Sequence, residues 1–196
     1  MSDPKRNLIL CVCGMAGSGK STVARRLAQQ YDLQYYSGGD ALKALALERG
    51  YKPKDRGWWE NGEGLRFLEE RAIDRAFDEQ IDRKLLEFAA KGNVVLDSWT
   101  MPWLLKAGFK IWLEASVENR AVRLAKRDGI TYEKALAVLK EKEEKTKTIY
   151  RRLYNFNLGE DFAPFHFILD TNQLRSSEVF EVVHRVIDHA ILGLAQ

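Results

Sequence analysis

LILCVCGMAGSGKSTVARRLAQQY, residues 8–31, joins an apolar run, a glycine-rich turn and a segment of helical spacing. The apolar run at 8–13 predicts a strand that is buried on both faces. Beyond the turn, small or apolar side chains repeat along one face of a helix, at Val23, Ala24, Leu27 and Ala28. A strand, a glycine loop and a helix in this order predict the start of an α/β domain.

The turn itself, GMAGSGKS at 14–21, matches the phosphate-loop pattern G-x-x-x-x-G-K-[ST] in the strand and helix context that the pattern requires. Its glycines let successive N–H groups point at a phosphate, and the following helix adds the positive end of its dipole. We expect Lys20 to reach the β- and γ-phosphates of ATP and the Ser21 hydroxyl to bind Mg²⁺. The predicted ATP-binding residues are Gly14, Ala16, Gly17, Ser18, Gly19, Lys20, Ser21 and Thr22.

Further strands and helices alternate along the rest of the chain. Short apolar runs predict strands at 33–36, 93–97, 109–113 and 165–170. Helical spacing predicts helices at 41–50, 65–92, 117–128, 131–154 and 176–194, with a loop at 51–64 and a solvated helix face at the charge run 140–147. The alternation predicts one α/β domain over residues 1–196, with a parallel sheet of about five strands covered by helices on both faces.

The composition limits the expected partners and location. A net charge of +3 favours small anionic ligands and gives no reason to expect a surface for long nucleic acid. The polar N-terminal residues and short apolar runs predict neither a signal peptide nor a membrane span, so we expect a cytoplasmic monomer or small homo-oligomer. Cys11 and Cys13 are the only cysteines, and their place in a buried strand predicts reduced thiols with no role in metal binding.

Asp97 ends the apolar run NVVLD at 93–97 and is a candidate second ligand for Mg²⁺. The carboxyl ends of parallel strands form the sheet edge where ligands of open α/β folds bind, which would bring Asp97 close to the phosphates. A cap on the following turn is an alternative role for this carboxylate. The chain lacks the N-K-x-D motif by which GTPases read guanine, so a small-molecule kinase is the favoured class.

Three further stretches carry a resemblance to the nucleoside monophosphate kinases, and among them to the archaeal type of cytidylate kinase. They are YYSGGDALKALALERG at 35–50, ENRAVRLAKRDGITYEKAL at 118–136, and IDRKLLEFAAKGNVVLD at 81–97 taken with FILDT at 167–171. The resemblance runs from about Leu8 to Ile191. It implies a three-layer P-loop kinase fold with a helical acceptor-binding segment at about 37–92 and a lid at about 140–160. It also implies ATP-dependent phosphoryl transfer to a nucleoside monophosphate, with CMP or dCMP first.

Residue roles follow from the same resemblance. Lys20, Asp97, Arg123 and Arg127 are expected in catalysis, and the two arginines share a helix face because they are four residues apart. The expected acceptor-binding residues are Asp40, Lys43, Asp82, Arg83 and Trp99, with Lys43 where the family often has arginine. The lid is expected to supply Lys147, Arg151 and Arg152.

The sequence departs from the family directly after Asp97. Where the family continues with Asp-Gly-Arg or Asp-Gly-x-Pro-Arg, this chain has DSWTMPW at 97–103. The arginine that clamps an acceptor phosphate is absent, and Trp99 offers a flat apolar face for stacking instead. Arginines that flank the predicted pocket are candidates to replace it, at Arg49, Arg56, Arg66 and Arg71.

Two alternatives therefore stay open. One is a kinase for a different acceptor, such as a nucleoside, a coenzyme precursor or another hydroxyl metabolite, with Asp40 or Asp97 accepting the hydroxyl proton. The other is a nucleotide-dependent switch or assembly ATPase, whose bound ATP controls a partner.

Overall fold

The computed structural model describes residues 7–53, 58–59 and 61–193. Within these ranges five strands form one sheet in the order β2-β3-β1-β4-β5, and every neighbouring pair is parallel. The strands are β1 (Ile9–Cys13), β2 (Gln34–Ser37), β3 (Val94–Asp97), β4 (Phe109–Glu114) and β5 (Phe167–Asp170). The predicted parallel sheet of about five strands is confirmed.

Helices cover both faces of this sheet. They are α1 (Lys20–Gln30), α2 (Gly38–Glu48), α3 (Gly62–Ile73), α4 (Ala76–Lys91), α5 (Met101–Leu104), α6 (Val117–Asp128), α7 (Tyr132–Tyr154) and α8 (Ser176–Ala190). Side chains of β1 alternate between the faces, so that Leu10 and Val12 pack with α1 and α8, whereas Cys11 and Cys13 face the side of α3, α4 and α7. Both cysteines are buried free thiols, as predicted.

The predicted continuous helix at 65–92 is wrong. The chain breaks at Asp74, whose backbone is extended and whose carboxylate accepts a hydrogen bond from the Ala76 amide at 2.9 Å. This contact starts α4 as a separate helix, since a short polar side chain competes well for free amides at a helix start. The first turn of α3 also takes up Gly62–Gly64, which the sequence assigned to a loop, and α5 was not predicted.

The charge run at 140–147 is not a fully solvated face of α7. Lys142, Glu143 and Thr146 are buried. Glu143 forms an ion pair with Arg120 of α6, and Lys142 faces two tryptophan rings. The prediction failed because the contacts that bury these polar groups come from segments distant in sequence.

The register of the sheet sets the place of the functional site. Val12 of β1 lies opposite Asp97 of β3, and Asp97 lies opposite Ser37 of β2. The three strands therefore end together, with the phosphate loop leaving β1 at the same edge. This is the edge at which open α/β sheets bind ligands. Among the described residues, no helix is both long and apolar enough to cross a bilayer.

Candidate active site

The phosphate loop depends on glycines that no other residue replaces easily. Gly14 and Gly17 have φ values of +148° and +83°, in the region that favours glycine. A Cβ atom on Gly14 would lie 2.5 Å from both the Leu113 carbonyl and the Ser18 hydroxyl, and one on Gly17 would lie 2.5 Å from Leu124 Cδ1. The loop is thus packed tightly against β4 and α6.

The start of α1 is open to an anion. Gly19 caps this helix without a side-chain hydrogen bond, and the first turn contains no acidic residue. The amides at a helix start and the positive end of the dipole therefore face the loop without a competing carboxylate. This geometry suits a phosphate group.

One cavity of about 690 Å³ extends from the loop to the acceptor half of the molecule, which comprises the predicted acceptor-binding segment at 37–92 and residues 97–103. The predicted site residues that line it are Ala16, Gly17, Ser18, Gly19, Lys20, Ser21, Thr22, Asp40, Lys43, Asp82, Asp97, Trp99, Arg123 and Arg127. The sequence analysis assigned residues of five separate segments to the site, and the fold places them around one cavity.

Five predicted residues do not line the cavity, namely Gly14, Arg83, Lys147, Arg151 and Arg152. Arg83 is exposed on α4. On α7, Lys147 pairs with Glu160 at 3.1 Å, Arg151 donates to Asn157 Oδ1 at 2.8 Å, and Arg152 donates to the carbonyl of Ala72.

The face of α7 that does line the cavity carries Lys142, Thr146 and Tyr150. These residues are four apart and therefore share one side of the helix. The sequence does contain a signal for this face, because positions 142, 146 and 150 follow the buried Leu139 at steps of three and four residues. Lys and Thr hid that signal, because an apolar-periodicity search ignores polar residues.

The arginines of α6 hold the loop in place. Arg123 donates to the Thr171 carbonyl at 2.6 Å and to the Ser18 carbonyl at 3.3 Å. Arg120 donates to the carbonyls of Ala115 at 2.9 Å and Ala16 at 3.1 Å, in addition to its ion pair with Glu143. The phosphate loop, α6 and α7 are thereby connected through one buried side chain.

Arg127 lies at the rim of the cavity, beside Asp128 at 2.7 Å. It is exposed, whereas Arg123 is partly buried. The two arginines thus differ in setting although they share a helix face.

Ser21 and Asp97 fit the requirements of a magnesium ion that also contacts phosphates. Both line the cavity, and Asp97 is buried with one carboxylate oxygen accepting from the Tyr35 hydroxyl at 3.0 Å. Mg²⁺ is commonly held by one or two protein oxygens together with water and phosphate. Among the described residues no group of three His, Cys, Asp or Glu side chains forms a metal site by itself, so such an ion would need the phosphates.

Asp82 is the centre of a buried hydrogen-bond network in the acceptor half. Its carboxylate accepts from Thr100 Oγ1 at 2.5 Å and from the Tyr154 hydroxyl. Ser98 lies 3.1 Å from Thr100 and extends the network toward Asp97. Burial raises the pKa of Asp82 to about 6, although the two hydrogen bonds oppose the shift.

Asp82→Asn is expected to flatten the pH dependence of stability. A folded-state pKa near 6 exceeds the unfolded value, so the contribution of Asp82 to stability is present below pH 4 and is lost as the pH rises through 6. The variant should therefore gain stability relative to the unaltered protein between pH 4 and pH 7. The gain in the free energy of unfolding should be roughly 2 kcal/mol, and it should appear as a higher relative melting temperature. Thermal unfolding at several pH values measures it. A difference that stays constant, as expected for the exposed control Glu79→Gln, would contradict the assignment.

Arg71 is the candidate replacement arginine that the structure brings to the cavity. It forms a buried pair with Asp78, with Nη2 to Oδ1 at 2.6 Å and Nε to Oδ2 at 3.2 Å, and donates to the Tyr150 hydroxyl at 3.4 Å. Arg49 lies over the Phe77 ring instead, and Arg66 donates to the Gly62 carbonyl. Arg56 lies outside the described residues.

Two of the four tryptophans of the acceptor half face the cavity. Trp59 and Trp99 line it, whereas Trp58 is fully buried. The Trp103 ring stacks on the Phe156 ring, with 3.8 Å between the ring centres. The Trp99 indole donates to the Gly14 carbonyl at 2.6 Å, so its ring is fixed to the phosphate loop.

The sequence similarity of the chain agrees with this geometry. A sequence model of the cytidylate kinase-like family matches residues 9–173, which include the phosphate loop, the acceptor half and α7. The chain belongs to the cytidylate kinase-like family. It is 32% identical to the cytidylate kinase of Pyrococcus horikoshii over 187 residues, covering 95% of this chain and 91% of that enzyme. It is 35% identical to the cytidylate kinase of Aeropyrum pernix over 174 residues, covering 88% of this chain and 94% of that enzyme.

Solved structures support the fold of this family member. The shikimate kinase of Bacteroides thetaiotaomicron superposes with a TM-score of 0.57 at 17% identity, covering 95% of this chain and 99% of that chain. The shikimate kinase of Acinetobacter baumannii in complex with shikimate gives a TM-score of 0.54 at 15% identity, with 96% of each chain covered. The predicted P-loop kinase fold is confirmed. With the family assignment, the protein is an ATP-dependent kinase of the nucleoside monophosphate kinase type, and the interpretation as a switch is abandoned.

Proposed function

We propose that this kinase transfers the γ-phosphoryl group of ATP to CMP or dCMP. The observation that carries the proposal is the continuous cavity, which extends from the phosphate loop to the acceptor half around Asp82. Donor and acceptor can meet in such a cavity without crossing solvent. The relatives of this chain in Pyrococcus horikoshii and Aeropyrum pernix are both cytidylate kinases, which supports a cytidine nucleotide as the acceptor.

In this proposal the chain acts by positioning and by neutralising charge. Lys20 and the amides at the start of α1 bind the phosphates of the donor, and Arg123 and Arg127 add positive charge from α6. Ser21 and Asp97 hold Mg²⁺, which neutralises charge on the phosphate oxygens when it is bound. Closure of the segment at about 140–160 excludes water, which would otherwise accept the phosphoryl group.

A second acceptor class is favoured by one observation. Trp99 lines the cavity, at the position of the arginine in the shorter pattern, Asp-Gly-Arg, that the family resemblance implies. An aromatic ring suits the stacking of a base or another ring, and it supplies no charge for a phosphate. In this alternative a nucleoside or small hydroxyl compound is phosphorylated, and the buried Asp97 carboxylate accepts the hydroxyl proton.

The deciding experiment is ADP formation from Mg-ATP with a panel of acceptors. The panel holds CMP, dCMP, UMP, AMP, GMP, the matching nucleosides and small hydroxyl compounds, and each rate is compared with the rate without acceptor. We expect CMP and dCMP to give the highest kcat/KM. Monophosphate rates that stay at the background, together with a nucleoside or hydroxyl compound above it, would contradict the proposal and support the second class.

A further inference from the structure

Trp99 is presented to the cavity from a turn that hydrogen bonds hold in place. The Ser98 amide donates to the Val12 carbonyl at 3.3 Å, so the pairing of β1 with β3 continues past the end of the strand. The Ser98 hydroxyl accepts from the amides of Thr100 at 3.2 Å and Met101 at 3.3 Å. A serine hydroxyl that accepts from the next amides stabilises a turn. The backbone on both sides of Trp99 is therefore fixed.

The indole of Trp99 holds the first peptide group of the phosphate loop. Its Nε1 atom donates to the Gly14 carbonyl at 2.6 Å, although the two residues are 85 positions apart. A peptide group is planar, so a carbonyl that is held in one direction also fixes the direction of the amide that follows it. Gly14 is the residue at which the chain leaves β1, with a φ of +148°. Trp99 therefore helps to set the path of the loop from its first residue.

The same ring lies beside the lysine of the loop. The Lys20 ammonium is 5.3 Å from the centre of the Trp99 ring. The face of an aromatic ring attracts an ammonium group and leaves its positive charge available, whereas a carboxylate would neutralise that charge. A lysine that is already held loses less side-chain freedom when it binds a phosphate than a lysine that moves freely. One tryptophan thus holds both the backbone of the loop and its charged side chain.

The contacts of the Trp99 ring leave it poorly suited to stack on an acceptor base. Two protein cations use the ring, because the Lys142 ammonium lies 6.0 Å from its centre in addition to that of Lys20. The Tyr150 ring meets it edge-on, with 6.3 Å between the ring centres. A base that stacks needs an open aromatic face of its own. The position of Trp99 therefore favours a role toward the phosphate loop over a role as a stacking platform.

We propose that Trp99 is a positioning residue for the donor nucleotide, because it holds the phosphate loop and Lys20 ready to bind the phosphates of ATP. The resemblance places an arginine for the acceptor phosphate at this position, and this chain has a residue that serves the other substrate instead. Because this role concerns ATP, it does not depend on which acceptor the kinase uses.

The test measures donor binding and acceptor binding separately. Calorimetry gives the dissociation constants of CMP and of the β,γ-imido analogue of ATP with Mg²⁺, for the unaltered protein, Trp99→Phe and Trp99→Leu. Phenylalanine keeps an aromatic face for Lys20 but has no N–H, so Trp99→Phe should weaken binding of the analogue roughly fivefold. Trp99→Leu also removes the ring and should weaken that binding roughly 20-fold. CMP binding should stay within about twofold in both variants, because the ring does not contact the acceptor.

Trp103→Phe is the matched control. The Trp103 indole donates to Asp161 at 3.0 Å, and the residue does not line the cavity. The substitution removes a similar hydrogen bond from the same segment and should change neither dissociation constant by more than about twofold. A melting temperature for each variant shows whether it is folded. If Trp99→Leu is unfolded, Trp99→Phe, which keeps most of the packing, decides on its own.

A double-mutant cycle separates the two contacts of the indole. In the Lys20→Met protein the ring has lost that ammonium, so Trp99→Phe and Trp99→Leu should then weaken binding of the analogue equally, by roughly fivefold each. Unchanged binding of the analogue in both single variants would overturn the inference, and weakened CMP binding would then assign the ring to the acceptor. Equal weakening of both ligands would overturn it as well. If the unaltered protein binds no CMP, the proposed function fails, and binding of the analogue still decides the role of Trp99.

Discussion

Lys20→Met is expected to lower kcat/KM for phosphoryl transfer by about 10³-fold or more, with the fold intact. Lys20 begins α1, lines the cavity, and holds its ammonium 5.3 Å from the centre of the Trp99 ring. The transferring phosphoryl group spreads negative charge over its oxygens in the transition state, and a fixed ammonium stabilises that charge without reorganisation. Methionine keeps an unbranched side chain of nearly the same length and removes the charge. Initial rates with CMP at saturating Mg-ATP measure the effect.

Lys126→Met is the matched control for this variant. Lys126 is an exposed lysine in the last turn of α6, so its substitution should leave kcat/KM within about twofold. Circular dichroism and thermal unfolding should show both variants folded. A loss of less than about tenfold in Lys20→Met would mean that this loop is not where the phosphoryl group is transferred.

The phosphate loop and the sheet were predictable because their determinants are local. Gly14, Lys20 and Ser21 lie at fixed spacing between a run of apolar residues and a helical pattern, and each part requires the next. The place of Asp97 followed as well, because parallel strands end at one edge and the register sets Asp97 opposite Val12. The sequence predicted the edge at which Asp97 lies, and the structure added its register opposite Val12.

The side of α7 that faces the cavity was not predictable in the same way. The sequence indicated a helix at 131–154, and the helix is present, but the residues expected to carry its function were on another face. In a segment of Lys, Glu and Thr every side is polar, so the buried side is decided by distant partners such as Arg120, which pairs with Glu143. The break at Asp74 was missed for a different reason, because it depends on a local hydrogen bond from the Ala76 amide to the Asp74 carboxylate that apolar periodicity does not reveal.

The acceptor half keeps its charges in pairs or networks. Asp78 is paired with Arg71, and Asp82 accepts two hydroxyl hydrogen bonds. Such groups are costly to bury, and a protein that needed stability alone would do as well with apolar residues of similar volume. We therefore propose that these groups orient a ligand at the cavity, and separate measurements of stability and activity test this proposal.

Asp78→Ala is expected to lower the free energy of unfolding by about 3 to 5 kcal/mol, because it leaves the Arg71 charge buried without its carboxylate. Side chains of both residues are almost fully buried, at 2% and 4% exposure, which gives the charge little access to water. For a chain of this size the change corresponds to a fall of about 10 °C in the melting temperature. Urea unfolding and thermal unfolding both measure it. The exposed neighbour Glu79→Ala is the control and should change stability by less than about 1 kcal/mol.

The double variant Arg71→Met with Asp78→Leu separates the effect of this pair on stability from its proposed effect on acceptor binding. It removes both charges and fills the space with apolar groups, so most of the lost stability should return. Phosphoryl transfer to CMP should nevertheless stay reduced, by about tenfold or more, because the guanidinium that donates to Tyr150 at the cavity is gone. A double variant as unstable as Asp78→Ala would show that the cost does not come from an unpaired charge. A double variant that is stable and fully active would show that the pair has no part in acceptor binding.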